Sequence, residues 1–329
     1  MADNTCERCQ KVFSTKSKFN SHMNRKKPCD KFGIQKPFLK WVGGKTQIID
    51  KVIERFPSEI NNYHEPFLGG GSVLLALLSL QKQNKINIIG GVFASDANKL
   101  LINVFKAVQS NKGELFDYIT KYITEYDSIT GTEINKKPKT IEEAKTSKES
   151  YYYWMRKQFN ECDSESIECS ALFMVINKTC FRGMYRASSN GFNVPYGHYK
   201  NTPTIITQSD LDIISDLIKD VVFTHCDFAE SIANSQEGDF IYLDPPYAPK
   251  NSTSFVGYNA SGFGISAHEK LFEMTKSLNE KKIKFVMSNA KVELVIKNFA
   301  TYDMEEIIAR RAINAKKPES TAVEVLIHN

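Results

Sequence analysis

Glu65-Pro66-Phe67-Leu68-Gly69-Gly70-Gly71-Ser72 lies between a short apolar run and a longer one in a chain of 329 residues. Residues 62–67 read as a strand and 72–81 as a helix. The glycines therefore make a tight turn at the carboxyl end of a strand, where the absence of side chains lets the backbone approach a ligand. Working outward, 86–95, 221–227, 240–243 and 284–288 are predicted strands, and 48–56, 99–110 and 268–278 predicted helices. Alternation of this kind predicts a parallel sheet with crossover helices. At the end, 302–309 and 322–328 flank a polar stretch containing Lys316, Lys317 and Pro318, which suits a closing antiparallel pair. From about 101 to 206 the alternation is interrupted, and the lysine-rich 136–148 reads as a solvated connector, so an insertion domain is expected there.

The composition, 41% hydrophobic and 25% charged, argues against disorder or a fibrous chain. No run of 18 apolar residues is present, so no membrane span is predicted. Met1 to Cys9 lack the apolar core of a secretory signal, and an intracellular location is expected. The net charge of +5 is uneven: residues 1–36 carry nine Lys or Arg against three acids, and the remainder is close to neutral. Within that basic front segment Cys6, Cys9, His22 and Cys29 follow the pattern CxxC, x12, H, x6, C, with Phe13 and Phe19 between the ligand pairs. The pattern resembles a C2HC-type zinc finger, a small module in which tetrahedral Zn2+ substitutes for a core. Its last ligand departs from the usual His three to five residues on. Cys162, Cys169, Cys180 and Cys226 have no ligand spacing and read as ordinary thiols.

Two further motifs end predicted strands. Asp96, in Ser95-Asp96-Ala97-Asn98, stands where nucleotide-binding α/β folds present a carboxylate to ribose hydroxyls. Asp244-Pro245-Pro246-Tyr247 directly follows the run 240–243. Neither GxGxxG nor GxxxxGK[ST] is present, which argues against a nicotinamide enzyme and a P-loop phosphotransferase.

With Pro37-Phe38-Leu39-Lys40-Trp41-Val42-Gly43-Gly44-Lys45, the glycine loop, Asp96, residues 177–199 and Asp-Pro-Pro-Tyr in this order, the chain resembles the Dam-like D12 class (alpha group) of S-adenosylmethionine-dependent DNA adenine-N6 methyltransferases. The resemblance covers 37–329. It implies an α/β fold, a Rossmann-like doubly wound sheet carrying a helical target-recognition insertion. The expected divisions are a zinc-finger-like module over 1–32, a cofactor-binding half over 33–100, the insertion over 101–206 and a catalytic half over 207–329. It also implies cofactor contacts from Trp41, Lys45, Phe67, Gly69, Asp96 and Asp244, and a catalytic motif of Asp244, Pro245, Pro246 and Tyr247.

The chemistry also follows from the residue types. An aromatic amine is a poor nucleophile because its lone pair is delocalised into the ring. The Asp244 carboxylate can accept one N6 hydrogen and the Pro245 carbonyl the other, in a direction that the two prolines fix. Tyr247 offers a face for stacking on a base rotated out of the duplex. The 41 residues between Glu168 and Asp210 contain no acid, as a phosphate-facing surface would. There Lys178, Phe181, Arg182, Met184, Arg186 and Tyr196 are candidate contacts to double-stranded DNA. GATC-reading relatives usually have Asn and Leu in place of Arg182 and Met184, a departure that weakens the case for a GATC target, and Arg182 or Arg186 could read guanine or bind phosphate. Ser288-Asn289-Ala290 reads either as a pocket-lining turn or as a polar strand end. Cytosine-N4 or RNA adenine methylation, or DNA binding without turnover, are the competing readings; a cognate restriction endonuclease is a possible partner.

Overall fold

A computed structural model describes residues 4–6, 12–24, 33–249, 263–310 and 321–329. Seven strands form its central sheet: β1 (Tyr63–Glu65), β2 (Val92–Asp96), β3 (Val221–His225), β4 (Phe240–Leu243), β5 (Lys284–Ala290), β6 (Asp303–Arg310) and β7 (Thr321–His328). Their spatial order is β3-β2-β1-β4-β5-β7-β6. Strands β1 to β5 pair in parallel, and β7 runs antiparallel to both of its neighbours. The winding reverses between β1 and β4, which creates a crevice beyond their carboxyl ends.

The side-chain period of two explains how the sheet is covered. Phe240 and Tyr242 enter one apolar cluster with Leu74, Leu101 and Phe105. Ile241 and Leu243 enter another with Phe272, Val295 and Phe299. Helices thus bury both faces, and β4 is apolar at every position because neither of its sides meets water.

The predicted strand at 86–95 is divided. Asn87–Ile88 pairs with Glu59–Ile60 in a ladder of its own, and β2 begins at Val92. Gly90 and Gly91 make the step, their N–H groups donating to the Asn61 carbonyl and to Asn62 Oδ1, both at 2.8 Å.

The expected boundary at residue 100 falls inside the helix Lys99–Ser110, whose Phe105 stacks on Phe223 of β3 at 5.2 Å. That helix belongs to the crossover. The helices Lys112–Ser128, Ile141–Ala144, Lys148–Glu161 and Ile167–Thr179 follow, the last two capped where Ser147 and Ser166 accept from the N–H groups of Ser150 and Cys169. Their Leu115, Tyr151 and Phe173 share the cluster of Leu74 and Tyr242, so the insertion is packed onto the sheet. Cys162 and Cys169, expected as separate thiols, form a disulfide across the turn between the two capped helices, where their Cα atoms approach to 5.8 Å. Cys180 and Cys226 are buried thiols.

In the front segment a bridge pairs Thr5 with Val12, and the helix Lys16–Met23 begins at the Thr15 cap. Cys6 is buried, and the Phe13 ring lies 4.6 Å from that of His22. Cys9 and Cys29 lie outside the described residues. Among the described residues no three His, Cys, Asp or Glu gather to hold a metal ion. The expected zinc centre of Cys6, Cys9, His22 and Cys29 is therefore not seen among the described residues, two of its four ligands lying outside them. No described helix is long and apolar enough to cross a membrane.

Candidate active site

The glycine loop leaves β1 and turns back over Trp41. Gly69 and Gly71 have φ of +51° and +69°, a region that side chains disfavour. A Cβ on Gly70 would lie 2.9 Å from Trp41 Cβ, and one on Gly71 2.8 Å from Phe105 Cζ. The loop is thus clamped between an indole and the core. Asp96, at the end of β2, holds it from the other side by accepting from the N–H groups of Gly69 and Asn98, each at 2.9 Å. Burial raises the Asp96 pKa, opposed by those two donors.

Asp244 leaves the end of β4, next to β1. Lys45, only 3% exposed, forms an ion pair with it at 2.7 Å from Nζ to Oδ1, donates to the Gly43 carbonyl at 2.6 Å and lies 4.9 Å from the centre of the Tyr247 ring. Its own N–H donates to Ser72 Oγ in the helix that follows the glycine loop. Burial pushes the Asp244 carboxyl up to about 6, with Lys45 opposing. Tyr247 donates to Glu324 Oε2 at 2.7 Å, and the Ala248 N–H donates to Asn289 Oδ1 at 3.0 Å. Asn289 is fully buried, so the end of β5 braces the loop after β4.

Glu65 has no role in the sequence reading, yet it lies at the same edge. Burial pushes its carboxyl up to about 8; the Tyr63 hydroxyl, donating at 2.7 Å, opposes this, while Asp244 and Asp96 add repulsion. Burial leaves Glu65 mostly protonated at neutral pH, so Asp96 and the Lys45-paired Asp244 are the carboxyls left to carry charge at this edge. Phe67 stacks on Phe228 at 5.6 Å and meets Phe263 edge-on, giving the crevice an apolar wall.

The insertion reaches this site through Trp41. Its ring lies 5.2 Å from Tyr185 and 6.5 Å from Phe173. One residue earlier, the buried Asn177 accepts from the Lys40 N–H at 2.9 Å and donates to the Lys40 carbonyl at 2.8 Å. This pair of hydrogen bonds between side chain and backbone ties the helix Ile167–Thr179 to the strap carrying Trp41 and Lys45. Beyond that helix Phe181 and Arg182 are exposed, Arg182 at φ +57° with its guanidinium 5.3 Å from the Phe181 ring. Met184 is half-buried, and Arg186 is exposed with its Nε donating to Asn193 Oδ1 at 2.6 Å. Lys178 is half-buried; burial and nearby Lys40 push its pKa down to about 8. Tyr196 is not on this surface. It is buried beside Tyr152 with its hydroxyl bonded to that of Tyr126, because the chain folds back at Cys180 and Tyr196 to close the insertion's core.

Residues 41–313 match the family model of the D12 class N6 adenine-specific DNA methyltransferases. The chain belongs to this family. It is 34% identical over 306 residues to the type II methyltransferase M.MjaIII of Methanocaldococcus jannaschii, covering 89% of this chain and 99% of that one. It is 30% identical to the type II methyltransferase M1.LlaDCHI of Lactococcus lactis subsp. cremoris, over 89% of this chain and 95% of that one. The DNA adenine methylase of Haemophilus influenzae is also 30% identical, over 89% and 92%. This D12 methyltransferase transfers a methyl group from S-adenosylmethionine to N6 of adenine in double-stranded DNA. The site fits that cofactor: Asp96 and Asp244 end the two strands that flank β1, and the glycine loop leaving β1 lets the backbone approach a ligand between them. Of the expected positions, Lys45 meets both Asp244 and Tyr247, and Gly69 meets Asp96. Glu65 and Asn289 lie within motifs already singled out, without an assigned role, whereas Glu324 lies in no motif that marks it as a partner of Tyr247.

Proposed function

We propose that this methyltransferase acts on an adenine extruded from a specific short double-stranded site, with Asp244, Pro245, Pro246 and Tyr247 at the reacting amine. The supporting observation is Asp244 at the switch point, ion-paired with Lys45, whose ammonium lies over the Tyr247 ring. Trp41, Lys45, Phe67, Gly69, Asp96 and Asp244 bound the crevice that receives the cofactor. S-adenosylmethionine supplies an electrophilic methyl when bound. The chain's own part is to hold the amine. Ionised Asp244 accepts one N6 hydrogen, the Pro245 carbonyl accepts the other, and the nitrogen lone pair is thereby turned out of conjugation. After alkylation the carboxylate or water takes the proton. Tyr247 supplies a stacking face that offsets the cost of extrusion.

DNA is held by the insertion over 101–206, through Lys178, Phe181, Arg182, Met184 and Arg186. The half-buried Lys178 beside Lys40 supports this: two crowded cations are relieved by a phosphate between them. The type II names of two relatives support a pairing with a restriction endonuclease. For the front segment we keep zinc as a reading from the ligand spacing, supported by buried Cys6 and by His22 packed on Phe13. Single-nucleotide mapping of N6-methyladenine in unmethylated plasmid DNA tests the specificity: methylation confined to one short sequence is expected, and scattered methylation overturns it. Extrusion is tested on duplexes of that sequence. A mismatch opposite the target adenine tightens binding if the base is flipped, and equal affinity for paired and mismatched duplexes refutes flipping.

A further inference from the structure

The loop after β4 is restrained from three directions. Two prolines precede Tyr247, and Asn289 of β5 receives the Ala248 N–H. The third restraint comes from β7, two strands away from β4. Because β7 runs antiparallel, its beginning lies at the edge where the parallel strands end: Glu324 is opposite Ala290, the last residue of β5. From there its carboxylate accepts the Tyr247 hydroxyl at 2.7 Å. Glu324 lies beyond residues 41–313, the part of the chain that matches the family model.

We propose that Glu324 is a positioning residue for methyl transfer, acting through the Tyr247 hydroxyl to hold the tyrosine ring square to the base pocket. The inference rests on the stacking role proposed above for Tyr247. A phenol ring attached by two rotatable bonds has several rotamers open to it, and a hydrogen bond at its far end selects one of them. The Tyr247 hydroxyl stays protonated, since burial chiefly, and then Asp244 and Glu324, raise its pKa far above neutral, so it remains a donor at every pH at which the enzyme works. Hydrogen bonds to a charged acceptor are short and strong, which suits a tether that must survive the arrival of a base. Lys45, lying over the same ring, blocks one direction of swing and leaves the hydroxyl end to Glu324.

The test is a double-mutant cycle in the full-length enzyme on unmethylated plasmid DNA, reading kcat and the KM for S-adenosylmethionine. Glu324→Ala lowers kcat roughly ten- to hundredfold, as expected for a lost hydrogen bond to a charged group, and leaves that KM within about twofold. Glu324→Gln, which keeps an acceptor oxygen, retains kcat within about threefold. In a Tyr247→Phe background, Glu324→Ala has no further effect on kcat, because the tether is already absent. Equal losses from Glu324→Ala in the two backgrounds overturn the proposal, as does a Gln variant as impaired as the Ala variant. If Tyr247→Ala leaves kcat unchanged, the stacking role itself has failed, an outcome separable from a failure of Glu324 alone.

Discussion

Replacing Lys45 by methionine removes the cation that the structure pairs with Asp244, at 2.7 Å, while keeping a flexible side chain in the buried space. In the wild type burial pushes Asp244 up to about 6, and Lys45 is the chief opposing influence. The carboxylate must be ionised to accept an N6 hydrogen. Its active form is therefore complete above that value and is lost as pH falls through it. An acid with a pKa of about 6 is roughly 90% ionised at pH 7. Loss of an adjacent opposite charge raises a carboxyl pKa by roughly one to two units, leaving about one half to one tenth of Asp244 ionised at pH 7. The assay is kcat/KM for S-adenosylmethionine between pH 5 and 9, which follows the free enzyme. The acid limb is expected to move to higher pH in Lys45→Met, with most of the deficit at pH 7 recovered at pH 9. A limb that stays in place or moves to lower pH refutes the assignment of that limb to Asp244 under the control of Lys45.

Asp244→Ala should abolish transfer while duplex affinity changes less than about threefold, since the residue acts on the extruded base; parallel losses in a filter-binding assay and a methylation assay would contradict its role. Asn177→Ala leaves the Lys40 N–H and carbonyl without their partner, at a cost of about 1 to 3 kcal/mol for two part-buried hydrogen bonds. Denaturant unfolding should register that loss, and the KM for S-adenosylmethionine should rise because the strap carrying Trp41 loosens. Deleting residues 1–32 should weaken DNA affinity and flatten its dependence on salt without eliminating turnover. Elemental analysis of the intact chain should find one zinc per molecule, lost on deletion; a metal-free intact chain ends the zinc reading.

The motifs at the strand ends were legible because each is local. A glycine run after a strand, or an aspartate followed by two prolines, places its atoms by backbone geometry within a few residues, and the structure seats both at the crevice. The alternation of apolar strands and helices likewise determined a parallel sheet, since a strand buried on both faces, such as Phe240–Leu243, must be apolar throughout. What only the tertiary structure decided is which distant groups face one another. Lys45 meets Asp244 because the strap before β1 folds across the end of β4. Glu324 reaches Tyr247, 77 residues away, because β7 is inserted antiparallel between β5 and β6. Tyr196 was misplaced for the converse reason: its neighbours lack acids, as a DNA surface would, but its own ring is drawn into the insertion's core by Tyr126 and Tyr152. Residue type and spacing encode what a side chain can do. Strand order and register, set by burial summed over the whole chain, determine what it does it to.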